Sequence, residues 1–178
     1  MFQYESDAQR VYEAVIKRME LFGLELSKEK TRILPFGRYS ASRETFDFLG
    51  FTHYNSKTRK GYYTVGHKIS RKKKKQFKSN LKKWVKENRT TQFDEFMKTL
   101  NKKLTGSFNY YSLNGMIKGV RNLWHHSLLL TFKWLNRRSQ RRSFKLERFC
   151  EIWNDRIIHP YIHVDIWSGD KVIYIKNV

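Results

Sequence analysis

The residues of this chain best suited to chemistry are cations in runs. Arg71, Lys72, Lys73, Lys74 and Lys75 stand in succession between Lys68 and Lys78, and Arg137, Arg138, Arg141 and Arg142 form a second group farther on. Clustered ammonium and guanidinium groups bind phosphates. The aromatics interleaved with them, among them Tyr62, Tyr63, Trp84, Tyr110, Tyr111, Trp124 and Trp134, offer faces on which bases stack. Between Lys57 and Arg148 there are 26 Lys/Arg against 4 Asp/Glu. Most of the aromatics fall on a buried helical period and serve equally well as core; the excess of charge has no such structural use, and RNA is the partner it fits.

Groups for catalysis are scarce by comparison. His125 and His126 are adjacent, so on a helix they point about 100° apart and do not converge on one metal. His159 and His163 lack acidic or thiol neighbours. The closest acid pairs, Asp94–Glu95 and Glu5–Asp7, fall at helix starts, whereas phosphoryl transfer by two metals needs convergent carboxylates. Composition alone therefore describes a binding module with no metal site and no cofactor.

The formal charge of the whole chain is +21 over 178 residues, and self-repulsion of that size favours a polyanionic partner, nucleic acid first and anionic membrane a distant second. A single cysteine, Cys150, excludes an internal disulfide and a cysteine-rich zinc site, as expected of a reducing compartment. No apolar run approaches the roughly 20 residues of a membrane span, and residues 1–20 have the spacing of a surface helix instead of a signal peptide. A soluble cytoplasmic protein associated with RNA or the nucleoid is expected. Residues 1–44 hold 8 Lys/Arg against 7 Asp/Glu, and residues 45–178 hold 29 against 9, so two functional regions meet near Thr45–Tyr54.

The elements that must position the cations follow from periodicity. Ala8, Val11, Tyr12, Val15, Met19 and Phe22 keep a helical period, with Ser6 and Gln9 as a capping box and Gly23 as the stop. Leu24, Leu26 and Thr31–Leu34 read as a short hairpin around a polar turn. Phe46 and Phe48 alternate with Thr45 and Asp47 on one face of a strand, which covers either a core of this chain or a surface that a missing part of the protein would cover, and Gly50 marks a bulge or a close backbone approach. Phe51–Tyr54 and Tyr62–Val65 flank a second hairpin turn in which Gly61 takes positive φ. Ser70 caps a helix with Phe77, Leu81, Trp84 and Val85 on one face. Thr91 caps the next, which carries Phe93, Phe96, Met97, Leu100 and Leu104 and stops at Gly106. After an aromatic segment, Phe108–Leu113, a long helix runs from Ile117 to Leu135, and Ser143 caps a last one with Phe149, Ile152 and Trp153 before an extended tail. Lysines at the start of the Ser70 helix oppose its macrodipole, so a phosphate backbone explains them better than local stability does.

Four stretches carry a family resemblance: F-Q-Y-E-S-D-A at Phe2–Ala8, F-G-L-E-L-S-K-E-K-T at Phe22–Thr31, T-F-D-F-L-G-F-T-H-Y at Thr45–Tyr54 and K-W-L-N-R-R-S-Q-R-R-S-F at Lys133–Phe144. In this order and spacing they resemble the C-terminal half of a bacterial group II intron reverse transcriptase and maturase, from residue 2 to about residue 163. The resemblance implies that Phe2–Phe36 is the last helix and hairpin of a polymerase palm and that Phe48, Leu49 and Gly50 belong to the primer grip. It makes residues of about 68–140 the helical thumb, or domain X, which holds template–primer duplex and structured intron RNA. Lys30 matches a palm lysine near the incoming nucleotide, a weak candidate for general acid toward pyrophosphate; a solvated turn lysine is an equal reading. The family's Tyr-Ala-Asp-Asp strand, which carries the ligands for its Mg2+, would lie just before the position matched by Phe2, and no HNH endonuclease cluster follows Trp167.

The expected fold is α+β: a palm remnant of one helix and short antiparallel strands or hairpins over residues 1–66, a basic three-helix thumb-like bundle over 67–142, and a C-terminal helix with a tail over 143–178. The expected function is RNA binding by the C-terminal part of a maturase, with RNA and the missing N-terminal polymerase half as partners and no membrane. The alternative is a stand-alone basic RNA-binding structural protein. The chain by itself is expected to show no primer extension with Mg2+ and deoxynucleotides, and extension above a no-enzyme control would contradict this.

Overall fold

The computed structural model describes residues 2–27, 29, 31–40, 42–113, 115–137 and 143–161. The protein is α+β, with a helix, a three-stranded antiparallel sheet and then a helical bundle, in the order α1 (Glu5–Leu21), β1 (Thr45–Phe48), β2 (Phe51–Lys57), β3 (Tyr63–Ile69), α2 (Arg71–Asn88), α3 (Phe93–Tyr111), α4 (Ile117–Leu135) and α5 (Leu146–Arg156). Two compact units result: Met1–Glu44 with Asn55–Val65, and Thr45–Tyr54 with Gly66–Val178.

In the first unit, α1 has the expected stripe, with Ala8, Tyr12, Val15 and Met19 half-buried, and no residue of the helix is fully buried. Its end is a Schellman motif: Gly23 at φ +66 donates to Glu20 O at 2.9 Å, and Leu24 N donates to Met19 O at 2.9 Å. The capping box does not form. Ser6 lies inside the helix, Tyr4 is the N-cap, and Gln9 donates instead to Glu13. Glu5 and Asp7 complement the dipole at this end without a side-chain cap. The expected hairpin over Leu24–Leu34 is also absent among the described residues. Two short strands with no third strand or helix to cover them are marginal in water, and Leu24 and Ile33 are exposed.

The second unit begins with a tight hairpin. At Leu49 and Gly50 the chain turns with φ +49 and +83, the two positive values of a type I′ turn, and Phe48 pairs with Phe51 across it. A turn thus replaces the expected bulge. The expected close approach is present as well, since a Cβ on Gly50 would lie 3.3 Å from Lys73 Cγ. Phe46 stacks on His53 at 4.8 Å, whereas Phe48, at 60 % exposure, covers no core. Gly50 O accepts from Ser70 N at 2.9 Å, which ties the turn to the start of α2, and Ser70 Oγ caps that helix through Lys73 N.

α2 buries Leu81 and Val85 as its spacing predicts. α3 starts after Gln92 with no bond from Thr91 and runs through Gly106, because Phe108 and Tyr111 continue the buried period of Leu100 and Leu104. Burial of two aromatics outweighs the roughly 1 kcal/mol that a helical glycine costs. The expected C-terminal helix, α5, packs on the bundle of α2, α3 and α4: Phe149 and Trp153 are fully buried, Phe149 against Phe132 and Trp153 against Trp124 of α4. Ser143 does not cap α5, whose N-cap is Lys145. Asn136 holds the approach, its Oδ1 accepting from Phe144 N at 2.9 Å and its Nδ2 donating to Phe144 O at 3.1 Å.

Phe149→Ala should therefore cost about 3–5 kcal/mol in a urea melt, and Phe48→Ala about 0.5 kcal/mol or less. Equal losses would contradict this placement of the core.

Candidate nucleic-acid interface

α2 carries the densest charge, and its geometry sorts the cations by direction. At 100° per residue, Arg71, Lys75, Lys78, Lys82, Lys86 and Arg89 fall within an arc of about 80°, a stripe running about 27 Å along the helix and its C-cap. Leu81 and Val85 anchor an adjacent face, so the stripe borders the packed side instead of opposing it. Glu87, the single acid of α2, lies on another side, and among the described residues no ion pair engages any cation of this helix. Six like charges in register, unpaired, form a track of positive potential.

The helix beside this stripe is α4. His126 of α4 has its pKa lowered first by burial and second by the charge of Lys78, which places Lys78 toward that helix. Farther along, Trp134 is ringed by three cations: Arg89 at 5.5 Å, Arg137 at 5.6 Å and Lys86 at 6.0 Å from the ring centre. The indole face attracts each of them, and their mutual repulsion is what an anion would relieve.

At the other end of α2, Lys68, Arg71 and Lys74 line an open cavity of about 410 Å³ with Thr45, Asp47 and Thr52. Asp47 is occupied by the Thr52 hydroxyl. Lys68 rests over the Tyr54 ring at 5.2 Å, and that ring lies so close across β3 that a Cβ on Gly66 would come within 2.4 Å of it. The N-terminal dipole of α2 points its positive end here, beside the cations.

The sequence-predicted residues therefore separate. Lys68, Arg71 and Lys74 share the cavity; Arg71, Lys75 and Lys78 share the stripe; Lys72 and Lys73 project elsewhere, Lys73 toward Gln76. Arg137 stands exposed at the far end, about 25 Å along α2 from Lys72 by helix rise. Lys30, Arg138, Arg141 and Arg142 lie outside the described residues. Lys82, Lys86 and Arg89 link the two ends and were not singled out as binding residues from sequence; the three- and four-residue spacing from Lys75 onward is the signal that finds them, and it leads to Trp134, one of the aromatics that the sequence offered as a stacking face.

Phe48 and Leu49 sit exposed at the tip of the β1–β2 turn, and Gly50 lies half-buried beside them. Tyr110 of α3 donates its hydroxyl to Leu49 O at 2.6 Å and stacks on Phe51, so the tip is braced from behind while its apolar side chains face outward. Next to it His53 and His67 face each other with Nδ1 atoms 2.9 Å apart, and burial followed by the His53 charge lowers the His67 pKa. Among the described residues no group of three or more His, Cys, Asp or Glu is placed to hold a metal ion. His125 is exposed and His126 half-buried, divergent as their adjacency requires. Among the described residues no helix is long and apolar enough to cross a membrane.

Both lowered histidines have the same consequence for stability. Their folded pKa lies below the ordinary 6.5, so the unfolded chain binds more protons between the two values and stability falls as pH drops through about 6.5. The urea midpoint should be lower at pH 5.5 than at 7.5, and His126→Gln should shrink the difference; a midpoint that rises on acidification would contradict it.

Residues 74–150, from the first turns of α2 into α5, match the family model described as group II intron, maturase-specific domain. No curated protein and no solved structure matches the chain significantly. The matched segment contains the stripe from Lys75 onward together with α3, α4 and Trp134, and over it the chain is similar to the group II intron maturase-specific domain, consistent with the C-terminal region of a group II intron maturase.

Proposed function

We propose that the chain binds structured RNA, group II intron RNA or a template–primer duplex, along the basic stripe of α2 and the cationic ring at Trp134, with the cavity of Lys68, Arg71 and Lys74 taking a further phosphate. The observation that carries this reading is the stripe itself: six unpaired cations over about 27 Å, of which the five from Lys75 to Arg89 lie inside the segment that matches the maturase-specific domain. A duplex backbone presents charge along a line, and a line of cations on a rigid helix meets it with no reorganisation. In this reading the β1–β2 tip, with Phe48, Leu49 and Gly50, presents apolar groups and backbone to the sugar face of a primer strand. The N-terminal polymerase half of the family enzyme is the protein partner, and Mg2+ belongs to that half.

A second reading has its own support. Among the described residues every buried core residue belongs to the second unit, so the basic bundle has a core of its own, as a stand-alone RNA-binding structural protein requires. The two readings differ in selectivity. A maturase-related role gives tighter binding to a group II intron RNA than to an unrelated structured RNA of equal length, and a general structural role gives equal binding.

Both require steep salt dependence, with log K falling by roughly 0.7–0.9 per neutralised phosphate. Replacing Lys75, Lys78, Lys82 and Lys86 with Gln should lower that slope by up to about 3, because four contacts at most are lost. Replacing Lys72 and Lys73 alone should change it by less than about 1, since they lie off the stripe. Equal slopes for wild type and the stripe variant between 50 and 200 mM salt, both test conditions of order 0.1 M, would remove α2 from the interface.

A further inference from the structure

On the side of α2 turned away from the stripe, α2 and α3 part to leave a cleft of about 260 Å³. Its apolar walls are Phe77, Leu81 and Trp84 from α2 and Leu104 from α3, and its rim carries Asn80, Lys103 and Ser107. Trp84 is stacked on Phe96 at 5.1 Å, so one face of the indole is committed to the core. The other face looks into the cleft, where the Lys103 ammonium rests 5.5 Å from the ring centre.

We infer that this cleft accepts a single unstacked nucleobase of the RNA bound by the domain. The inference rests on the RNA-binding reading above and names a second site on it. Three features fit a base better than an aliphatic side chain or a whole nucleotide. The volume lies below the roughly 300–1,000 Å³ of sites for drug-sized ligands, so one planar ring system fits and a sugar and phosphate stay outside. The floor is an indole face backed by a second ring, the kind of platform on which bases stack. The rim supplies a carboxamide with both donor and acceptor, suited to a base edge, and a lysine that can follow the base's phosphate.

Lys103 has two positions to choose between. Without RNA its ammonium covers the indole; with a base on the indole it swings outward to the adjoining phosphate, trading a cation–π contact for a charge-assisted hydrogen bond. Ser107, on the rim, donates its hydroxyl to Lys103 O at 3.1 Å. Phosphates would then track α2 along one side while a bulged or loop base is held on the other.

The test uses the full chain and two RNA hairpins of equal length, one with a single bulged uridine and one with an abasic nucleotide at the bulge, so that the phosphate count is identical. By fluorescence anisotropy the wild type should bind the uridine hairpin at least about fivefold more tightly, the lower end of what base–aromatic stacking supplies. Ser107→Leu, which fills the cleft without changing charge, should abolish the difference. A 5-bromouridine bulge irradiated in the complex should crosslink to the peptide containing Phe77 and Trp84. Equal binding of both hairpins by the wild type overturns the cleft and leaves RNA binding standing. Binding of neither overturns the RNA reading itself. Discrimination that persists in Ser107→Leu, or a crosslink mapping elsewhere, places the base outside the cleft, and the crosslink decides the matter even if Ser107→Leu does not fold.

Discussion

α2 is a helix that its own sequence opposes. Its first turn has no acid and four consecutive cations, Arg71 and Lys72–Lys74, each unfavourable at the positive end of the macrodipole by about 0.3–1 kcal/mol. Its stripe places like charges four residues apart at Lys78, Lys82 and Lys86, each pair costing a further 0.2–0.5 kcal/mol or about that. Against this stand the Ser70 cap, worth about 1 kcal/mol, and the burial of Leu81 and Val85, worth about 1.5–3 kcal/mol each. The helix exists because α4 covers one side of it. Everything assigned to the interface depends on that packing: the stripe is straight only while α2 is helical, and the ring of cations at Trp134 closes only while α2 and α4 lie side by side.

The same constraint explains the division of labour within the bundle. Phe132, Phe149, Trp124 and Trp153 join α4 to α5, so the helix that carries α2 is itself held from behind by aromatics away from the basic track. The cation-rich surface is thereby backed by a rigid core. At the β1–β2 turn the arrangement repeats on a smaller scale, with Tyr110 and Tyr111 of α3 bracing Phe51 beneath an exposed tip.

Sequence periodicity revealed the helices because burial enforces it: Phe77, Leu81, Trp84 and Val85 lie on one face, and so do Leu100, Leu104 and Val120, Leu123 on theirs. What it missed depended on partners distant in the chain. Gly106 reads as a stop until Phe108 and Tyr111 are seen to need the same core. Gly50 reads as a bulge because Leu49, a residue seldom found at positive φ, conceals a two-residue turn. The chemistry of the site was legible as charge and not as direction. A run such as Arg71–Lys75 looks like one patch in sequence, yet a helix spreads it around its whole circumference, and the line of positive charge is drawn instead by residues three and four apart. The α2–α3 cleft left no trace in the sequence, since it is a gap between two elements.

The paired hydrogen bonds of Asn136 to Phe144 have an evolutionary reading as well as a structural one. They close the chain between the end of α4 and the approach to α5 with a single carboxamide, so the ends of the arginine-rich segment between them are fixed whatever that segment contains. Lengthening a loop already closed at its base is cheap, about 0.6 kcal/mol for each doubling. A change of length or composition between Arg137 and Ser143 therefore leaves the end of α4 and the approach to α5 where Asn136 holds them, and with them the packing behind the α2 stripe.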